Sequence, residues 1–232
     1  MQYETIFFDL DHTLWDFETN SRETMQDLYL ELNLSTLGIP NFEHFHDTYH
    51  HYNLLFWDRF RKGFIKREDL RWKRMWRTLI DYKIYNEPLA LKISERYLEI
   101  LPTKKNLFED AINVLDYLKA KNYPLFLITN GFQQTQIQKL NHSGINHYFD
   151  YMITSEEAGI MKPHAAIFEF ALQIARGNAQ TSIMIGDTLE ADIEGGINAG
   201  IDTVYFNPAV PATEKIKPTY SIQSLKELKK IL

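Results

Sequence analysis

The chain has 232 residues, of which 44% are hydrophobic and 24% charged, and its formal net charge is -6. That length holds one large core, or a core with a smaller inserted domain. The acidic balance argues against a nucleic-acid polymer held through its phosphates, and the lack of cysteine excludes disulfides, thiolate catalysis and cysteine-ligated metals.

Residues 1–10 contain acids but no basic n-region of a signal peptide, and no apolar run approaches the ~20 residues that span a bilayer. The expectation is a cytoplasmic protein with no membrane partner, a monomer or small homo-oligomer. The first element is the apolar run from Thr5 to Leu10, read as a strand buried on both faces. Similar runs follow at Pro124 to Thr129, Tyr151 to Thr154, Ser182 to Gly186 and Thr203 to Phe206. Helical stripes lie between them: Phe108, Ile112, Leu115 and Leu118, then Ile167, Phe168, Ala171, Leu172 and Ala175. Strands alternating with helices predict an α/β fold with a doubly wound parallel sheet, and Ser224 to Leu232 reads as a closing amphipathic helix.

Residues 18–98 break the alternation. They read as helical throughout and are rich in aromatics such as Tyr49, Phe56, Trp57, Trp72 and Trp76. This stretch is expected to be an inserted all-helical domain, with the core formed by residues 1–17 and 99–232.

Four groups of polar residues fall at the expected strand ends. Asp9 and Asp11 follow the first strand, where open α/β sheets bind their ligands. Taken alone, they could equally be a solvated strand end and a turn cap. Thr129, Asn130 and Gly131 end the second strand and could be a helix cap. Lys162 precedes Pro163, which suits a helix first turn; a lone lysine is usually a solvated surface group. Asp187 and Asp192 close the fourth strand. Together these residues describe one site, because acids so close would raise one another's pKa values and a hard divalent cation would relieve the conflict. Lys162 then suits an anionic substrate, and a spare carboxylate suits phosphoryl transfer.

The ordered set Asp9-x-Asp11-x-Thr13, Thr129, Lys162 and Gly186-Asp187 through Asp192 resembles the haloacid dehalogenase-like hydrolases, and the helical insert resembles that superfamily's first cap type. The resemblance implies a Rossmann-like core and a Mg²⁺-dependent phosphomonoesterase acting on a small phosphorylated metabolite. It implies Asp9 as the nucleophile that becomes an aspartyl-phosphate, and Asp11 as general acid and then base. Thr129 and Lys162 would hold the phosphoryl group. Asp9, Asp187 and the Asp11 carbonyl would bind Mg²⁺, with Asp192 completing the shell. Ile128 to Phe132, Ser155 to Pro163 and Gly186 to Gly200 are similar to the pyrimidine 5′-nucleotidase group, whose substrates are pyrimidine nucleoside monophosphates.

In the insert, Trp57, together with Phe17 at its edge, is expected near the substrate; the other aromatics are read as core. Arg74 is read as a solvated helix residue rather than a ribose or phosphate ligand. His46 and His50 are four apart but lack a third zinc ligand, so a polar helix surface is expected. Glu156 or Glu157 either orients Lys162 or forms an exposed acidic turn. The rival activities are phosphatase or phosphomutase action on another metabolite, haloacid dehalogenation and a catalytically silent binding role.

Overall fold

The computed structural model describes residues 3–207 and 215–232. The chain divides into two compact units: Met1–Phe17 with Lys105–Leu232, and Glu18–Lys104.

The first unit is built on one parallel sheet. Its strands are β1 (Thr5–Phe8), β2 (Leu125–Thr129), β3 (Tyr151–Thr154), β4 (Ser182–Gly186), β5 (Asp202–Phe206) and β6 (Tyr220–Ile222). Their order is β3-β2-β1-β4-β5-β6, and every pairing is parallel. All residues of β1, β2 and β4 are buried, as expected for central strands covered on both faces. The edge strand β3 is buried only at Ile153 and Thr154. β6 was not read from the sequence, because three residues show no usable period.

The connecting helices are α5 (Ala111–Ala120), α6 (Gln133–His142), α7 (Ser155–Ala158), α8 (Ala165–Ala175) and α9 (Gly195–Asn198). Phe7, Phe126, Ile128, Ile153, Ile167, Phe168, Ala171 and Met184 form one core cluster. The α8 stripe lies where the period placed it, with Ile167, Phe168 and Ala171 buried and Leu172 and Ala175 packed alongside. The α5 stripe is corrected. Phe108 precedes the helix, Ile112 is exposed, and Ala111, Val114, Leu115 and Leu118 are the buried residues. The expected closing helix is a 3-10 helix, Leu225–Lys230, started by a capping box between Ser224 and Glu227.

In the second unit the helices are α1 (Phe17–Glu31, whose first residue belongs to the first unit), α2 (Phe42–Arg61), α3 (Arg67–Asp81) and α4 (Glu87–Ile100). No strand occurs among its described residues. Asn41 and Asn86 cap α2 and α4 by accepting the backbone N–H three residues on. Phe45, Tyr49, Phe56, Leu70, Met75, Leu79, Ile93 and Tyr97 are buried. Arg74 departs from the expected solvated position. It is 4% exposed, donates to Asn53 Oδ1 at 2.5 Å, and lies 5.8 Å from the Tyr49 ring centre and 5.6 Å from that of Tyr97. His46 also departs from a polar surface: it is buried, and its ring stacks on His50 at 6.3 Å.

Candidate active site

The sheet order determines where a site can form. The chain runs outward from β1 to β3 and then returns to place β4 on the other side of β1. This reversal opens a crevice at the carboxyl ends of β1 and β4. Phe8 is in register with Leu127 and with Ile185, so the next residue along each strand brings Asp9, Ile128 and Gly186 to one level.

Lys162 is the centre of the arrangement. Its ammonium donates to Asp9 Oδ1 at 2.6 Å, to Asp192 Oδ1 at 2.6 Å and to the Ile128 carbonyl at 2.7 Å. These three acceptors use all three of its N–H bonds. Burial would lower its pKa, but Asp192 and Asp9 reverse that and hold it protonated. Neither Glu156 nor Glu157 supplies this orientation: Glu156 accepts the Gln133 N–H, and Glu157 accepts the Tyr151 hydroxyl.

Pro163 does not open the next helix as the sequence suggested. The Lys162–Pro163 bond is cis, His164 is the N-cap of α8, and Lys162 lies before the helix. The Asn130 side chain fastens it there. Its Oδ1 accepts from Lys162 N and its Nδ2 donates to Lys162 O, both at 2.9 Å. Both ends of the Asn130 side chain are thus occupied by the Lys162 backbone. The Gly131 N–H is likewise engaged, donating to Thr129 Oγ1 at 3.0 Å.

Asp9 is 7% exposed, and Oδ2 of its carboxylate has no hydrogen-bond partner among the described residues. Burial raises its pKa well above the ordinary range; Lys162 opposes this, and Asp192 and Asp187 add to it. Asp187 is raised from 3.8 to about 7 by burial and then by Asp192. Its oxygens accept from the hydroxyls of Thr13 at 3.3 Å and Thr188 at 3.4 Å. Asp192 Oδ2 accepts the Thr188 N–H at 3.0 Å, so both of its oxygens are engaged. Gly186 leaves room for this carboxylate, since a Cβ there would collide with Asp192 Cβ and Cγ.

Asp9, Asp187 and Asp192 each offer a carboxylate oxygen, and these oxygens lie within 4.8 Å of one another. One ammonium leaves this set with excess negative charge, and hard oxygen donors at this spacing fit a hard divalent cation. Asp11 is separate from the cluster. Its carboxylate accepts from Lys139 Nζ at 2.6 Å and Gln136 Nε2 at 2.9 Å. Burial would raise its pKa, and Lys139 and Gln136 bring it below the usual value. Gln136 and Lys139 were not singled out in the sequence, where single polar residues on a helix read as solvated.

Phe17 is half-buried, with its ring 4.9 Å from that of His12. Trp57 is half-buried on α2, 5.8 Å from the Phe60 ring. Among the described residues no helix is long and apolar enough to cross a membrane.

A family model described as "haloacid dehalogenase-like hydrolase" matches residues 3–200. The chain is 32% identical to the pyrimidine 5′-nucleotidase PynA of Streptococcus pneumoniae, over 98% of this chain and 94% of the relative. It is 33% identical to the pyrimidine 5′-nucleotidase YjjG of Escherichia coli, over 100% of this chain and 99% of the relative. Among solved structures, the HAD-hydrolase YfnB of Bacillus subtilis bound to magnesium superposes with a TM-score of 0.89 at 29% identity, covering 100% of this chain and 99% of that one. With the parallel sheet and the strand-end acids already described, these likenesses establish that the chain belongs to the haloacid dehalogenase-like hydrolase family and is an enzyme of it.

Proposed function

We propose that the chain is a Mg²⁺-dependent phosphomonoesterase that acts through an aspartyl-phosphate on Asp9, with pyrimidine nucleoside 5′-monophosphates as substrates. The chemical reading is carried by the Asp9 carboxylate, which gives one oxygen to Lys162 and has no partner for the other among the described residues. The substrate class is carried by the two pyrimidine 5′-nucleotidases, whose likeness to this chain extends through its helical unit.

In this reading Asp9 Oδ2 attacks phosphorus while Lys162 offsets charge on Asp9 and on the phosphoryl oxygens. Thr129 Oγ1 accepts from Gly131 N and from Gln136 Nε2 at 2.8 Å. Its own hydrogen remains to donate to a phosphoryl oxygen. Asp11 protonates the leaving oxygen and then takes a proton from the hydrolytic water. Asp9 and Asp187 would hold Mg²⁺ through carboxylate oxygens, and Asp11 through its backbone carbonyl. Asp192 would complete the shell, and its oxygens anchor Lys162 and Thr188. When bound, the ion supplies the positive charge that keeps Asp9 ionised and stabilises charge on the transferring group.

The helical unit is assigned the choice of leaving group, with Trp57 as its aromatic for a base. A stacked base is worth about 1–3 kcal/mol.

The test is phosphate release from UMP, dUMP, dTMP, purine monophosphates, phosphoglycolate and hexose phosphates, with Mg²⁺ or with EDTA. Pyrimidine monophosphates should lead, and EDTA should abolish release. A preference for phosphoglycolate or a hexose phosphate would overturn the substrate class, and EDTA-insensitive release would overturn the metal's role.

A further inference from the structure

Helix α6 carries two residues that the reaction just described does not use. Gln136 and Lys139 are three residues apart and so share a helix face. They are 0% and 3% exposed. Burying an ammonium and a primary amide is costly unless each finds partners, and the partners found here are reaction residues. Lys139 Nζ donates to Asp11 Oδ1 at 2.6 Å and lies 4.4 Å from the Trp15 ring centre. Gln136 Nε2 donates both to Asp11 Oδ2 at 2.9 Å and to Thr129 Oγ1 at 2.8 Å.

We propose that Gln136 and Lys139 are positioning residues: together they set the Asp11 carboxylate for the step in which water hydrolyses the phosphoenzyme, and Gln136 couples that carboxylate to Thr129. This rests on the aspartyl-phosphate reading above. Each Asp11 oxygen is held by a different side chain, so rotation about its terminal bond is stopped at two points. In the step this carboxylate serves, the water oxygen bonds to phosphorus and the bond from phosphorus to Asp9 breaks. The electron pair returns to the Asp9 carboxylate, and the water proton passes to Asp11.

The orientation of the Gln136 amide follows from its neighbours. Asp11 accepts only, so the nitrogen faces it, and its second hydrogen goes to Thr129. With the Gly131 N–H also donating to the same oxygen, the Thr129 hydroxyl proton is directed outward. Gly131 is required by this packing: a Cβ there would come within 2.5 Å of the Gln136 amide.

The experiment uses the full chain with Mg²⁺ and p-nitrophenyl phosphate, with acid quenching during turnover and intact-mass detection of phosphorylated protein. Lys139→Met and Gln136→Met should lower kcat at least about tenfold. They should lower KM in step and raise the phosphorylated fraction at steady state, because hydrolysis is slowed more than formation. Lys139→Arg should restore part of kcat. A fall in kcat with no accumulation of phosphoenzyme, or an unchanged kcat in both variants, would overturn the inference. If Lys139→Met fails to fold by circular dichroism, Gln136→Met decides by the same readouts. Asp11→Asn separates the two readings. If it traps phosphoenzyme while the α6 variants do not, this inference alone fails. If neither it nor the wild type ever carries phosphate, the aspartyl-phosphate reading itself fails.

Discussion

Replacing Asp187 by asparagine should make the metal-free protein more stable, and increasingly so as the pH rises. The folded state raises the Asp187 pKa from 3.8 to about 7, so it binds this proton more tightly than the unfolded chain does. The wild type therefore pays no penalty below about pH 4, loses stability as the pH climbs toward 7, and then levels off. At about 1.4 kcal/mol per pH unit, the gap between 3.8 and about 7 sets an upper bound of about 4 kcal/mol. Asp187 is only half-buried by exposure, so solvent screening reduces this to roughly 2 kcal/mol. In a domain of this size that corresponds to about 4–8 °C in Tm. Thermal melts in EDTA at pH 5, 6, 7 and 8 should show Asp187→Asn drawing ahead of the wild type, with the difference flat above pH 7. Excess Mg²⁺ should reverse the ranking, since a ligand at about 100 times its Kd adds about 2.7 kcal/mol and only the wild type keeps both proposed carboxylate ligands. A variant less stable than wild type at pH 8 in EDTA, or a difference that ignores pH, would refute the reasoning.

Asp9→Asn should retain the fold and lose all Mg²⁺-dependent phosphate release, read by circular dichroism and a p-nitrophenyl phosphate assay. Asn130→Ala removes two hydrogen bonds to the Lys162 backbone; at about 1 kcal/mol each, Tm should fall by about 4–8 °C and kcat should drop with it. Gly186→Ala places a methyl group against Asp192; this overpacking should cost about 1–3 kcal/mol and weaken the rise in Tm that Mg²⁺ produces. Arg74→Met leaves Asn53 Oδ1 without its donor inside the helical unit; a loss of about 1–3 kcal/mol in denaturant unfolding is expected.

Much of the core was readable because the signals are local. A continuous apolar run of five or six residues identifies a buried strand wherever it lies, and an acid just past that run sits at a strand end. This is how Asp9 and Asp187 could be located, five strand runs counted and the parallel sheet expected. The α8 stripe was equally clear, since its period depends only on its own residues. β6 was too short to carry such a signal, and α5 begins later than its apolar spacing implied, which turned Ile112 outward.

The sequence by itself determined which residues carry charge and where along the chain the sheet is interrupted. It determined the ends of β1 to β5 too, because backbone period and residue type are properties of neighbours in the chain. Only the tertiary structure decided which charges meet. Lys139 reaches Asp11 across 128 residues, and Lys162 reaches Asp9 across 153. Arg74 turned inward because Asn53, Tyr49 and Tyr97, on two other helices, form a polar lining for it. In one dimension each of these reads as a solvated side chain, since burying a cation is favoured only after distant acceptors have been brought to it.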